Sequence, residues 1–599
     1  MRPSLYQWGA LVIILALSFG AVRAGWDDQS VTKDEWPHLV RGLAYWNTAD
    51  PRLSFAHPPL PNAAAALPAH LGFDTDISQL PGWERGNNRK VADALLLTDY
   101  GDLRERLFRA RAVMFGFLAL LVAYVFAFLR RHVGMVAAVA GALCVGLNPT
   151  FLAHARLVTT DLPVTTFAVI AAGESISFAV GRRWWRLATA ALALAACALS
   201  KHSGLGVVAI CVLVTSLMLL AGPWLGRTEG VRARVKSVLV FGATAGLVLV
   251  VAVLVAYRFD GVGHTVDEIR DAERHRYAIR LRRTSITHYD GSLRIPLPST
   301  WVVGLFSTGA HVQEGHTGQW FWGEANPSGR WFYFPTLIAL KLPLGFHVGW
   351  LSALVFGVGF VVSWLRKRGS LDPSAAIALG LAACASLLAI GLVSSRLNIG
   401  LRHALPLVGL LALFAGWGLG RLWIAGGGLR VLAVIAMISI PAELVWTAPH
   451  YLSYFNVAVG RAQGHEISKL GESWGQTRAK LVRFLLENDM QPVSMSRLSP
   501  TVLHELRYLG LDQPSNIYCR GDEPDTRWAV ILEEEYARAP GCYAWARDMV
   551  PAHRLLEHFR IYDLRPLMSL PDEANAVEVD GDRLSGPFDG DEESGLEAR

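Results

Sequence analysis

Apolar positions along this chain fall into long blocks, and the blocks set the architecture. A bilayer core takes roughly 20 apolar residues per helix, and by that length about eleven blocks qualify as membrane-crossing helices. They lie near 5–23, 107–129, 133–153, 162–180, 186–200, 203–225, 237–257, 333–364, 374–395, 403–424 and 429–447. The run from Leu187 to Leu225 would be about 58 Å long as one helix at 1.5 Å per residue, too long for a single crossing. Its break at SKHSG predicts two helices joined by a tight turn at Ser200–Gly204. The first block also fits a cleaved signal peptide, because VRAG at 22–25 resembles a small-residue cleavage site. Its length and the charge pattern of the loops favour a retained helix.

The polar links between blocks differ in sign. RRH (130–132), GRRWWR (181–186), GRTEGVRARVK (226–236), RKRG (366–369) and the stretch from Arg421 to Arg430 are all basic, and all fall on one side. The positive-inside rule makes that side cytoplasmic, with the N-terminus. The opposite side receives 24–106, HARLVTTD (154–161), the SKHSG turn, 258–332, SSRLNIGLR (394–402) and everything after 447. Within 258–332, the segment 264–283 reads as a basic amphipathic helix on the membrane surface.

Beyond 447 the pattern changes. Residues 474–489 have helical period, while PVSMSRL, SNIYCR, RWAVILEEEY and HFRIYDL read as short strands with helices near 499–510 and 540–550. Residues 448–571 are therefore expected to form a small extracytoplasmic α/β domain. No glycine-rich nucleotide loop follows a strand. The acidic tail 572–599 reads as disordered.

Composition agrees: of 599 residues, 52% are hydrophobic and 18% charged, too greasy for a soluble domain. The net charge of +6 is spread over short loops, without a basic tail or nucleic-acid motif, which excludes a nucleic-acid partner. Cys144, Cys197, Cys211 and Cys384 lie inside apolar blocks and read as packing residues. Cys519 and Cys542 lie in the polar region, where a disulfide and two separate thiols are equally compatible with the sequence.

Candidate chemistry starts at TKDEWPHLVRG (32–42), about ten residues past the first block. A carboxylate such as Asp34 or Glu35 at the outer interface is partly desolvated, which is expected to raise its pKa toward that of a useful base. The plainer reading is an N-cap, from Thr32 or Asp34, before a helix over 35–46.

Several motifs appear together and in order. They are DEWPHLVRGLAYW, FAHPPLPNAAAALP (55–68), NPTFLAHARLVTTDLPVTTF (148–167), ALSKHSGL (198–205), GHTGQWFWGEANPSGRWFYFPTLIALKLPL (315–344), LNIGLRHALP (397–406), HYLSYFNVAVG (450–460) and ESWGQTRAKL (472–481). Over roughly its whole length the chain resembles the protein O-mannosyltransferase-like glycosyltransferases, bacterial integral-membrane enzymes of the GT-C class, family 39-like. The resemblance implies a polytopic α-helical membrane protein of GT-C type in the cytoplasmic (inner) membrane. It implies transfer of a sugar from a polyprenyl-phosphate carrier to an acceptor hydroxyl on a protein, lipid or glycan, usually with inversion. The family's first acidic site falls on Asp34, with Glu35 beside it, and its second on Asp161. Where the family often has Asp before Trp474, this chain has Ser473, with Glu472 one place earlier.

The leaving phosphate calls for cations. Lys201 and His202, at the turn between the fifth and sixth blocks, and Arg402 and His403, at the entrance of the tenth, are the candidates. A charge that close to hydrocarbon is costly unless it is paired or snorkels. His57, held by the prolines that follow it, is a candidate for substrate contact. So are His316 and Trp320 in the second outer stretch. Asp161 can orient the acceptor, hold a divalent cation or stabilise charge at the sugar; as a plain structural residue it caps the fourth block, with Pro163 near the helix start. His311 and His316 could bind metal, though without a ligand spacing. His154 and Arg156 flank Asp161. Glu174 is expected to pack. Two other classes compete: a transporter or flippase, whose ionisable groups would lie at mid-membrane in repeated halves, and a binding scaffold with a decayed site. The polar residues gather at the boundary, no repeat is visible, and Asp34, Asp161, Arg402 and His403 all stand, which favours the enzyme.

Overall fold

A computed structural model describes residues 6–26, 29–222, 228–270, 285–315, 319–325, 328–367, 371–468, 473–519 and 524–565. The acidic tail, His316, Glu472 and most of the expected surface helix over 264–283 lie outside the described residues.

Helix α1 (Tyr6–Arg23) is followed by three helices in the first long polar stretch: α2 (Glu35–Asn47), α3 (Pro59–His70) and α4 (Asn88–Thr98). Then come α5 (Tyr100–His132), α6 (Met135–Gly146), α7 (Pro149–Ala155), α8 (Asp161–Gly181), α9 (Trp184–Ser200), α10 (Gly204–Leu220) and α11 (Val231–Ala256). Helix α12 (Ser299–Glu314) and a two-stranded hairpin, β1 (Trp320–Phe321) with β2 (Glu324–Ala325), belong to the second polar stretch. The bundle closes with α13 (Tyr333–Leu340), α14 (Leu344–Lys367), α15 (Pro373–Val393), α16 (Leu405–Ala425) and α17 (Gly427–Thr447).

Among the described residues every predicted block is built of helix. Seven helices among the described residues, α5, α8, α11, α14, α15, α16 and α17, are long and apolar enough to cross a membrane. The pair α6 and α7, bent by 55°, makes an eighth if taken as one span, and α1, α9 and α10 are shorter apolar helices. The α6–α7 bend has a local cause. Pro149 starts α7, and the Asn148 side chain accepts from Thr150 N at 3.0 Å. The block at 333–364 likewise splits, because Pro343 disfavours helix at the residue before it. Lys341 sits in that break, donating to the Leu452 carbonyl at 3.0 Å. Leu118, Leu121, Val122, Val125 and Phe126 of α5 form one face of the main core, against α6, α8 and α16. Helix α1 is docked there too: Ser18 Oγ donates to the Gly146 carbonyl at 2.7 Å. Glu174 is buried with Arg186, Tyr124 and Thr189.

After α17 the chain runs back over the bundle. Asn456 Nδ2 donates to the Ala339 and Leu342 carbonyls at 2.8 and 3.1 Å, ahead of α18 (Arg461–Ile467). The sheet begins only after that. It contains β3 (Val493–Ser496), β4 (Ser515–Ile517), β5 (Trp528–Leu532), β6 (His553–Leu555) and β7 (Phe559–Asp563), in the order β4-β3-β5-β7-β6. Strand β3 is parallel to β4 and β5, and β7 is antiparallel to β5 and β6. Helices α19 (Arg478–Glu487) and α20 (Pro500–Tyr508) cover one face through Leu481, Leu485 and Leu506. The four expected strands are present; β6, at the edge, was not anticipated. The expected helix near 540–550 is a 3-10 segment, Pro540–Ala546. Cys519 and Cys542 are joined by a disulfide, while the other four cysteines are free and buried.

Candidate active site

Asp34 occupies the N-cap position of α2, but its side chain makes no capping bond. Instead Oδ2 accepts from Arg402 Nη1 at 2.7 Å, with the two side chains 25% and 21% exposed. Arg402 stands in a short 3-10 turn, Leu401–Ala404, directly before α16. Gly400 at φ +101° makes the turn into it, a backbone conformation that suits glycine, and its N–H is fixed by the Tyr333 hydroxyl at 2.8 Å. The Arg402 guanidinium lies over the Trp474 ring at 4.7 Å, a cation–π contact.

Asp161 is the first residue of α8, where the helix dipole favours a negative charge. Its Oδ1 accepts from Lys201 Nζ at 2.7 Å. The fields of Arg402, His154 and His403 also reach Asp161, and both Asp34 and Asp161 act on His38. Two acid–cation pairs, from four distant segments, therefore share one electrostatic neighbourhood. Beside them a small cleft is lined by His154, Lys341, Arg402 and Trp474, among others.

The pKa expectation for Asp34 is overturned. Burial pushes its carboxyl up, but Arg402, and after it Lys33, outweigh burial and hold it below the ordinary carboxylate value. Sequence gave no sight of a partner 368 residues away.

Glu35, expected at the reaction centre beside Asp34, points elsewhere. It is fully buried and paired with Arg111, which donates from Nε at 2.8 Å and from Nη2 at 2.7 Å. It also accepts from Thr32 N, Thr32 Oγ1 and Val158 N at 3.0, 3.1 and 3.1 Å. Both Thr32 bonds go to Glu35 Oε2, tying the carboxylate back onto the chain just before the helix. Every lone pair is engaged, so Glu35 is structural.

His57 faces His38, ring centroids 4.9 Å apart, and His38 Nδ1 is 2.9 Å from Asn62 Oδ1. Burial, helped by the Arg41 charge, pushes His38 down to about 4, and burial with His38 and Arg41 pushes His57 well below its ordinary value. Both are neutral at pH 7. His202 is parted from its neighbour Lys201: its Nε2 bonds the Phe55 carbonyl at 2.9 Å, and burial pushes it down to about 4. Gly304 of α12 permits that contact, since a Cβ there would come within 1.8 Å of the Phe55 oxygen. His202 thus fastens the loop bearing His57 and is not a free cation for phosphate. Trp320 is 9% exposed in the β1–β2 hairpin, which rests on the segment before Arg402 through Gln319 Nε2 and the Arg396 carbonyl, 3.0 Å apart. Among the described residues no group of three or more His, Cys, Asp or Glu is placed to hold a metal ion. The sequence reading noted Trp474 without giving it a role; its spacing carries no signal for Arg402.

No family model matches the sequence, and no curated protein matches it. Solved structures do resemble the fold. Cupriavidus metallidurans ArnT bound to undecaprenyl phosphate is 14% identical, with a TM-score of 0.44, over 92% of this chain and 98% of that one. The Archaeoglobus fulgidus oligosaccharyltransferase AglB, in complex with an inhibitory peptide and a dolichol-phosphate, is 12% identical. Its TM-score is 0.47, over 95% of this chain and 75% of that one. These likenesses concern overall architecture and assign no residue roles.

Proposed function

We propose that this chain transfers a sugar, of the hexose class, from a polyprenyl-phosphate carrier to an acceptor hydroxyl. The reaction would take place at the extracytoplasmic rim of a bacterial cytoplasmic membrane. The observation that carries the reading is the juxtaposition of the Asp34–Arg402 and Asp161–Lys201 pairs. Each acid is matched by a cation for which an incoming phosphate competes. The sequence motifs point to the same chemistry.

In the resting state Arg402 lowers the basicity of Asp34. A donor phosphate that draws the guanidinium to itself relieves that restraint, so donor binding would switch on the base. The acceptor O–H proton then passes to an Asp34 oxygen, the acceptor oxygen bonds to the anomeric carbon, and the carbon–phosphate oxygen bond breaks. Attack from the face opposite the phosphate inverts the centre. The departing polyprenyl phosphate carries the negative charge to Arg402 and Lys201. Asp161, held by Lys201, faces the sugar or the acceptor.

The test is transfer from a synthetic polyprenyl-phosphate sugar by purified protein. Asp34→Asn is expected to lower turnover by about 10²–10⁴-fold with donor binding kept. Equal rates for the variant and the wild type would remove Asp34 from the mechanism.

A further inference from the structure

Glu505 of α20 has no place in the pairs above, yet it is only 2% exposed. Its Oε1 accepts from the Tyr100 hydroxyl at 2.9 Å and from Val31 N at 3.3 Å. Its Oε2 is 2.7 Å from Arg478 Nε and 2.6 Å from Nη2. Arg478 Nη2 also donates to the Val31 carbonyl at 2.7 Å, so this one ion pair holds both backbone groups of Val31. The same strip of chain is bonded on either side. Ser30 N donates to the Gln476 carbonyl at 3.0 Å, Ala479 N to Ser30 Oγ at 2.7 Å, and Lys33 N to the Trp474 carbonyl at 3.1 Å. Asp34 is the next residue. At the other end of this contact, Trp474 supports Arg402. Both halves of the Asp34–Arg402 pair therefore lean on residues 474–479, and Glu505 locks that segment to the strip before Asp34.

We propose that Glu505, acting through Arg478 and Val31, is a positioning residue that holds Asp34 in register with Arg402. This rests on the transferase reading above. The groups whose charges face Asp34 are Arg402, Lys33 and His38. When the strip loosens, Asp34 loses the short contact with Arg402 that holds its carboxyl down, so it keeps a proton to higher pH. A base must be ionised, so the acid limb of kcat/KM, which reports the free enzyme, moves up.

The experiment compares wild type with Glu505→Gln in two ways. The first is the pH dependence of Asp34 labelling by a water-soluble carbodiimide, which reacts with the protonated acid and is read by mass spectrometry. The second is kcat and donor KM across pH with a synthetic polyprenyl-phosphate sugar. The labelling midpoint and the acid limb should both rise by about one pH unit. kcat should fall about tenfold or more, with donor KM within roughly twofold. Unmoved midpoint and limb, with activity lost only in proportion to folded protein, would mean that Glu505 merely fastens the domain, and would overturn the proposal. A shifted midpoint in protein that transfers no sugar supports the positioning role and sinks the transferase reading instead. Where Glu505→Gln does not fold, Tyr100→Phe removes one bond from the same carboxylate. It should move the labelling midpoint the same way by less, and no movement overturns the proposal.

Discussion

Asp34 and Glu35 are adjacent, carry the same charge and each meet an arginine, yet they belong to different regions. The Glu35–Arg111 pair is 0% and 1% exposed, with hydrogen bonds from Thr32 and Val158 completing the carboxylate. The Asp34–Arg402 pair is about a quarter exposed, and its arginine lines the cleft together with Trp474. The difference teaches which acid is free to react. A carboxylate whose every lone pair is engaged out of water holds structure together. One that is held by a single cation, at the edge of solvent, can exchange that cation for a ligand.

The widest gap should appear on neutralising each acid. Asp34→Asn is expected to cut kcat by about 10²–10⁴-fold, the usual span for a lost general base, with little change in thermal unfolding. Glu35→Gln should do the opposite. It leaves the Arg111 charge uncompensated in the interior, at a cost of about 3–5 kcal/mol. The measurement is thermal unfolding in detergent alongside kcat per folded molecule; a folded Glu35→Gln protein as inactive as Asp34→Asn would break the comparison. Next in size is Lys201→Met. Losing a charged hydrogen-bond donor of about 1.5–3 kcal/mol should raise donor KM roughly tenfold or more. An unchanged KM would leave Lys201 as a tether for Asp161 alone. The smallest effect concerns pH. The carboxyl of Asp34 is held below its ordinary value, and the proposed base works as the anion. kcat/KM should therefore stay level as pH falls through the ordinary carboxylate range. His38, neutral above about 4, should contribute no limb near neutrality, so His38→Gln should leave that profile in place.

Much of this was legible in the sequence, for physical reasons. Apolar blocks long enough to cross a bilayer have no other stable form there than helix, so all of them are helices. The strands Val493–Ser496 and Trp528–Leu532 were visible because β-branched and apolar residues cluster between turns. Asp34, Asp161, Lys201 and Arg402 were all nominated. Their pairings were not, because 368 residues separate Asp34 from Arg402 and 40 separate Asp161 from Lys201. The error over Asp34 basicity follows from that: burial can be guessed locally, whereas a distant cation cannot. Part of the Glu35 environment is local, since its carboxylate turns back onto Thr32, three residues earlier.

Ser30 and Ala479, bonded through the serine hydroxyl, stand 449 residues apart in the chain. A ribosome therefore finishes the whole bundle before that fastening can form. Until then the first loop, with its reactive acid, waits without the strip that aligns it. That alignment is thus among the last features the polypeptide acquires during synthesis, and chains interrupted before residue 474 would lack it.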